Sequence, residues 1–287
     1  MNLKKTVTSL MIMTLFISSM PFTALAGKAE VVSLGADLTA NQQEEILNEF
    51  GVSKDEVDII YVTIQDVKDH LSGVATREQI GTKAISSAHV KLLPEGEGLQ
   101  VNTDNVTLVT EEMYANAMVT AGVEDAEVKV AAPFNVTGTT ALTGIMEAFE
   151  EATGEKLVEE AKDAANEEII LTGDVGQEIG QDEAAELIQK VKEEIINQKI
   201  KTPEDMRQAI IKIAKDLNIE LTDEQIDQIL QLMEKISKLD LNVEDISNQL
   251  GKISHELDVM KNTIDENKGV FQDILDALMS WLRSIFA

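Results

Sequence analysis

Four clusters in this chain combine side chains that could do chemistry, and each also has a quieter explanation. Ser86-Ser87-Ala88-His89 sets hydroxyls beside an imidazole, the pairing a nucleophile and its base require. On an extended strand, however, Ser87 and His89 share a face side by side, which is not a nucleophile–base geometry. Glu147, Glu150 and Glu151 fall at helical-neighbour spacing, as an acid–base pair would, although like charges so spaced usually dress a solvated helix face. Asp240-Leu241-Asn242-Val243-Glu244-Asp245 alternates oxygen ligands but lacks the turn glycine and downstream acid of a calcium loop. The fourth cluster is Asn135-Val136-Thr137-Gly138-Thr139-Thr140-Ala141-Leu142-Thr143-Gly144, which leads from an apolar strand into a helix. Hydroxyls and free backbone N–H groups gather there at a helix N-terminus, a place suited to a carboxylate or phosphate. Asn135, Thr137, Thr139, Thr140 and Thr143 are therefore the candidate ligand residues. The alternative is a capped helix whose glycines ease a tight turn.

Other chemistries are excluded or unsupported. The chain has no cysteine, so thiol nucleophiles, cysteine–zinc sites, disulfides and a lipid-modified N-terminal Cys cannot occur. His70, His89 and His255 are far apart and none has a metal-ligand spacing. No nucleophile elbow, phosphate-binding loop or dinucleotide fingerprint is present. No catalytic residue, metal site or cofactor is assigned.

The elements that would position these residues differ along the chain. Residues 1–26 form an export signal: Lys4 and Lys5 give a positive start, residues 7–17 are mostly apolar, and Ala24-Leu25-Ala26 supplies the small residues a signal peptidase needs. Residues 27–152 read as a mixed α/β domain. Val31-Val32-Ser33-Leu34 is a strand, 39–50 a helix opened by a Thr39/Gln42 capping box, and 57–64 a second strand, a βαβ-like unit. Residues 84–93 and 99–101 suggest a hairpin around Pro94-Glu95-Gly96-Glu97-Gly98. A second β-α-β pattern spans 106–131, and a helix at 139–152 closes the domain.

Residues 153–220 read as helical, with helices at 155–171, 182–198 and 203–217 and a loop at the glycine-containing stretch 173–180. Thr202 and Pro203 mark a sharp helix start. Residues 221–287 carry heptads: with position a at Ile229, seventeen a and d positions run to Ile285, and only Asn267 is polar. A coiled coil, or helices packed within the monomer that happen to share a register, both fit that seam. Phe271, Ile274, Leu275, Leu278, Trp281, Leu282, Ile285 and Phe286 fall within an arc of about 140° on a helical wheel. This apolar face is too wide to leave in water and is read as an interaction face. The fold class expected is α+β, a mixed α/β N-terminal domain followed by an all-α C-terminal region.

Charge narrows the partners. Removing the signal takes away two lysines and no acid, which leaves 22 basic against 52 acidic residues, with a net −15 on each side of residue 152. Spread acidity of this kind repels phosphate backbones and anionic headgroups, so nucleic acid is not a partner and a membrane surface is disfavoured. Weak divalent-cation binding is compatible with it. Ten aromatics in the chain argue against a sugar-stacking cleft. The expected partner is another protein or a second copy, engaged through the C-terminal helices.

Taken together, residues 32–39 (VSLGADLT), 80–88 (IGTKAISSA), Tyr114-Ala115-Asn116-Ala117, Thr120-Ala121-Gly122-Val123 and 132–142 (APFNVTGTTAL) resemble the YpuA-like secreted proteins, the family called domain of unknown function 1002. The likeness covers most of residues 30–250. It implies an exported protein of Gram-positive bacteria and carries over no catalytic residue. The function expected is a secreted, non-enzymatic binding or scaffolding protein of the cell envelope. Two alternatives stay open: an extracellular hydrolase with a polar site near residues 86–89 and 137–143, or a membrane-surface binder acting through the C-terminal helix. The export reading is checked by N-terminal sequencing of the processed protein. It should begin at Gly27, wash free without detergent, and retain no Met1 in the envelope fraction.

Overall fold

Glu30–Gly35 (β1) is a β-branched run enclosed on both faces, with Val31, Val32 and Leu34 wholly buried, the mark of an interior strand. The computed structural model describes residues 29–239 together with 248 and 249. The expected export signal at 1–26, the acidic 240–245 run and the expected interaction face at 271–286 lie outside the described residues.

The first unit follows its local signals. Helix α1 (Ala40–Phe50) starts where Thr39 and Gln42 bond reciprocally, Thr39 N–H to Gln42 Oε1 at 2.9 Å and Gln42 N–H to Thr39 Oγ1 at 3.4 Å. Strand β2 (Asp58–Val62) then pairs parallel with β1, completing the βαβ unit. The same capping box opens α2 (Ile64–Leu71) at Thr63/Asp66 and α3 (Arg77–Ile80) at Thr76/Gln79, two helices the sequence reading passed over.

Strands β3 (Ser87–Leu92), β4 (Leu99–Val106) and β5 (Ala126–Val136), with α4 (Glu111–Ala121) between the last two, complete a sheet of order β2-β1-β3-β5-β4. The expected hairpin is absent. β5 lies between β3 and β4, antiparallel to the first and parallel to the second. Composition decides this: Val128, Val130 and Ala131 of β5 are almost wholly buried, whereas Gln100, Asn102 and Asp104 of β4 face solvent, as only an edge strand can allow. Asp125 pins the crossing loop by accepting Gly96 N–H at 3.0 Å and Gly98 N–H at 2.6 Å.

Five helices follow: α5 (Ala141–Thr153), α6 (Glu159–Ile179), α7 (Gln181–Asn197), α8 (Pro203–Asp216) and α9 (Asp223–Ile236). The architecture is α+β, as the sequence predicts. The stretch 173–180 is not a loop, because α6 runs through Gly173 and Gly176 and ends only at Gly180 (φ 107°). A Cβ on Gly176 would meet the Gln181 side chain at 2.3 Å, so this glycine admits the doubling-back of α7. One apolar cluster unites the sheet with α4, α5 and Ala165, Ile169 and Ala185 of α6 and α7. A second joins α6 to α9, and there the heptad residues Ile229, Leu232 and Ile236 are buried against the chain's own helices. A third packs Phe50 of α1 onto the opposite sheet face.

A buried ion pair ties the sheet side to the helical side. Lys192 Nζ donates to Glu168 Oε1 at 2.7 Å, to Asn116 O at 2.7 Å and to Thr120 Oγ1 at 2.9 Å, while Thr120 Oγ1 donates to Glu168 Oε2 at 2.5 Å. Burial pushes the Lys192 ammonium pKa down, against the opposing pull of Glu168. Lys192→Met should cost about 3–5 kcal/mol in urea unfolding because it strands the Glu168 charge, and adding Glu168→Met should recover much of that loss.

Candidate functional site

The polar segment 135–143 leaves the carboxyl end of β5 and enters α5, and most of its polar groups are already engaged. Gly138 sits at φ 91°, with Tyr114 Oη donating to its carbonyl at 2.6 Å. A Cβ there would meet Val106 Cγ1 at 2.4 Å, so glycine is required twice over, by conformation and by space. Burial pushes the Tyr114 phenol far above its ordinary value, which keeps it a donor. Thr139 Oγ1 donates to Gln79 O at 2.7 Å, and Thr140 Oγ1 lies 2.9 Å from Ser86 Oγ. Asn135 and Thr137 are exposed. Thr143, in the first turn of α5, is fully enclosed and its hydroxyl has no partner among the described residues. Thr140 occupies the N-cap without making a side-chain cap bond.

The sheet separates the other candidates. Val32, paired with His89, belongs to the cluster under α1, while α5 packs on the opposite face, where a Cβ on Gly144 would meet Ser33 Oγ at 2.6 Å. Ser86 reaches α5 through Thr140, whereas His89 is buried under Phe50 with ring centroids 5.8 Å apart. His89 Nε2 lies 3.4 Å from Glu30 Oε2, and Nδ1 has no hydrogen-bond partner among the described residues. Burial lowers the His89 pKa, with Glu30 opposing, so the ring is held toward neutrality. Ser87, which shares the His89 face, has its hydroxyl accepting from Gly35 N–H at 3.2 Å. The arrangement offers no nucleophile–base pair among these residues.

The three glutamates also part company. Burial works to raise the Glu150 pKa, but hydrogen bonds from Lys156 at 2.6 Å, Lys162 at 3.1 Å and Leu157 N–H at 3.0 Å outweigh it and hold it below its ordinary value. Glu147 is pushed from 4.5 up to about 6, by burial first and then by Asp66 and Glu150. Glu151 points to solvent. Among the described residues no group of three or more His, Asp or Glu could hold a metal ion, and no helix is long and apolar enough to cross a membrane.

Four of the motifs noted in the sequence, 32–39, 80–88, the one that begins at Tyr114 and 132–142, meet at one end of the sheet, whereas Thr120-Ala121-Gly122-Val123 closes α4 at the other. Asp37 Oδ2 accepts Ala84 N–H at 2.8 Å, Asp37 N–H donates to Ala84 O at 3.1 Å, and a Cβ on Gly35 would strike Ala84 O at 2.4 Å. Residues 34–253 match the family described as Protein of unknown function (DUF1002). The chain belongs to that family. The DUF1002 match takes in the turn at 135–143 and helices α1 to α9, and it stops short of the apolar face 271–286. The chain is also similar to Uncharacterized protein YpuA of Bacillus subtilis (strain 168), at 37% identity over 256 residues, which is 89% of this chain and 88% of that one. No solved structure matches. Sequence reasoning missed Gln79 and gave Tyr114 no role. The Tyr114-Ala115-Asn116-Ala117 motif was the available signal, since its tyrosine holds the turn and its asparagine side chain donates to Ala185 O of α7 at 3.1 Å.

A folded-state pKa above the unfolded one stabilises a protein at low pH, and that contribution disappears as pH rises through the folded value. The Glu147 contribution should therefore be present below 4.5 and lost toward about 6. Glu147→Gln should flatten the pH dependence of unfolding free energy across that window and leave it unchanged above. A pH series of urea titrations on both proteins measures it.

Proposed function

We propose that this protein is exported and works in the Gram-positive cell envelope as a non-enzymatic binding or scaffolding protein. The engagement of the serines carries the reading: Ser86 meets Thr140 on the α5 side of the sheet while His89 is buried under Phe50 on the other, and Ser87, on the His89 face, has its hydroxyl accepting from Gly35 N–H. The spread negative charge supports a protein partner over nucleic acid or an anionic membrane. The C-terminal face 271–286 is the contact surface in this reading, docking on protein, whether on its own chain, a second copy or a partner. For a small ligand, Asn135 and Thr143 are the polar candidates left over, since Thr139 and Thr140 are engaged with Gln79 and Ser86 and Thr137 Oγ1 lies 3.4 Å from Thr139 Oγ1.

Cross-linking in intact cells, with and without the double change Ser86→Ala and His89→Phe, separates binding from catalysis. The binding reading expects a discrete extracytoplasmic adduct whose yield the double variant leaves within about twofold, an energy change well under 1 kcal/mol. An ester- or peptide-hydrolysing activity of the purified protein that the double variant removes would replace this reading with the hydrolase.

A further inference from the structure

The sheet ends in two edge strands, and only one of them is protected. At β4, Gln100, Asn102 and Asp104 are exposed, Glu111 Oε1 accepts Thr103 N–H at 2.9 Å, and Asn105 at φ 57° bulges the strand between Asp104 and Val106. Polar side chains, an occupied donor and a bulge keep an edge from pairing with another chain. The β2 edge has none of these. Its sequence, Asp58-Ile59-Ile60-Tyr61-Val62, holds no lysine or proline, and it pairs with β1 without a register shift. Val62 O accepts Ala36 N–H at 2.9 Å, so Val62 turns its main chain toward β1; by alternation Ile60 does the same, and Ile59 and Tyr61 turn theirs outward. The N–H and C=O groups of Ile59 and Tyr61 meet no hydrogen-bond partner among the described residues. The Tyr61 side chain beside them is 51% exposed.

We propose that the β2 edge receives an extended, lysine- or arginine-bearing segment of another protein as an added strand. This contact surface is separate from 271–286 and does not depend on it. The outward N–H and C=O groups of Ile59 and Tyr61 supply the main-chain hydrogen bonds, and side chains on alternate residues of the added strand supply the selectivity. Ile59 packs toward α1 and Ile60 toward α5, each only partly covered, so the incoming strand meets apolar surface on both faces of the sheet. Tyr61, on the Ile59 face, gives a β-branched neighbour an aromatic cross-strand partner. Charge selects the occupant. Residues 52–71, which contain the edge, hold five acids, Asp55, Glu56, Asp58, Asp66 and Asp69, against Lys54 and Lys68. Glu147 of α5 adds another carboxylate in the field of Asp66. Two such edges repel one another, which disfavours a second copy, and a cationic strand is drawn to them.

Residue-resolved hydrogen exchange on the full-length protein tests this, with a blocked synthetic peptide of alternating lysine and valine as the probe and its glutamate–valine counterpart as the control. In the dilute protein alone, the Ile59 and Tyr61 amides should exchange freely while those of Ile60 and Val62, turned toward β1, are protected. The lysine peptide should protect Ile59 and Tyr61 saturably, and less so at high salt, whereas the glutamate peptide should not. Tyr61→Pro removes an outward donor without touching the β1 ladder. It should weaken the lysine peptide about tenfold, the cost of one main-chain hydrogen bond, with Ile60 and Val62 still protected. If that variant unfolds, Tyr61→Lys, which keeps the amide and opposes the charge of the peptide, should weaken binding instead. Ile59 and Tyr61 amides already protected in the dilute protein put the chain's own residues on the edge and overturn the proposal. Protection that rises with protein concentration, together with sedimenting mass, puts a second copy there and likewise overturns it. Equal protection by both peptides, or by neither, overturns the basic strand as the occupant. Each of these results leaves the reading of the C-terminal face as it stands.

Discussion

The Lys192–Glu168 pair is the constraint on which the arrangement depends. An ammonium and a carboxylate so deeply enclosed are tolerated only when every remaining donor and acceptor is met, and here Asn116 O and Thr120 Oγ1 complete the set. The geometry that satisfies them locks α4, α6 and α7 to one another at fixed separation. Because α4 also carries Tyr114, the same lock sets where the phenol meets Gly138 and so where the chain turns from β5 into α5. The turn at the end of the sheet is thus held from the helical side of the molecule.

That dependence changes the meaning of the polar motifs. Threonines and serines at a helix N-terminus suggest a ligand when read alone, and in the fold most of them stitch the 79–86 segment to α5 and β1. Thr139 reaches Gln79, Thr140 reaches Ser86, and Ser87 reaches Gly35. Buried backbone groups must find partners, and short hydroxyl side chains are the residues that can provide them without bulk. Thr143 departs from this pattern, enclosed and without a partner among the described residues.

Heptad spacing had two readings, and the described part of the seam takes the intramolecular one. Ile229, Leu232 and Ile236 face α6, α7 and α8. A stripe of apolar residues every three or four positions specifies that a helix must be covered and is silent on the cover, because the hydrophobic effect has no direction and no preference for self over other.

Local signals were legible in the sequence wherever a short-range interaction sets the structure. The Thr39/Gln42 box and the Thr202-Pro203 start of α8 each rest on contacts within a few residues, and the β1-α1-β2 unit on the alternation of strand and helix signals in consecutive segments. The α+β class followed from the change of period along the chain, and the absence of cysteine settled thiol chemistry outright. What only the tertiary structure decided was everything set by distant neighbours. Placing β5 between β3 and β4 depended on which strand could bear burial on both faces. The helical path through Gly173 and Gly176 depended on how closely α7 returns. The parting of Ser86 from His89 depended on which helices cover each side of the sheet. A sequence states the preferences of each residue; which neighbour meets them is fixed only when the whole chain competes for the same buried space.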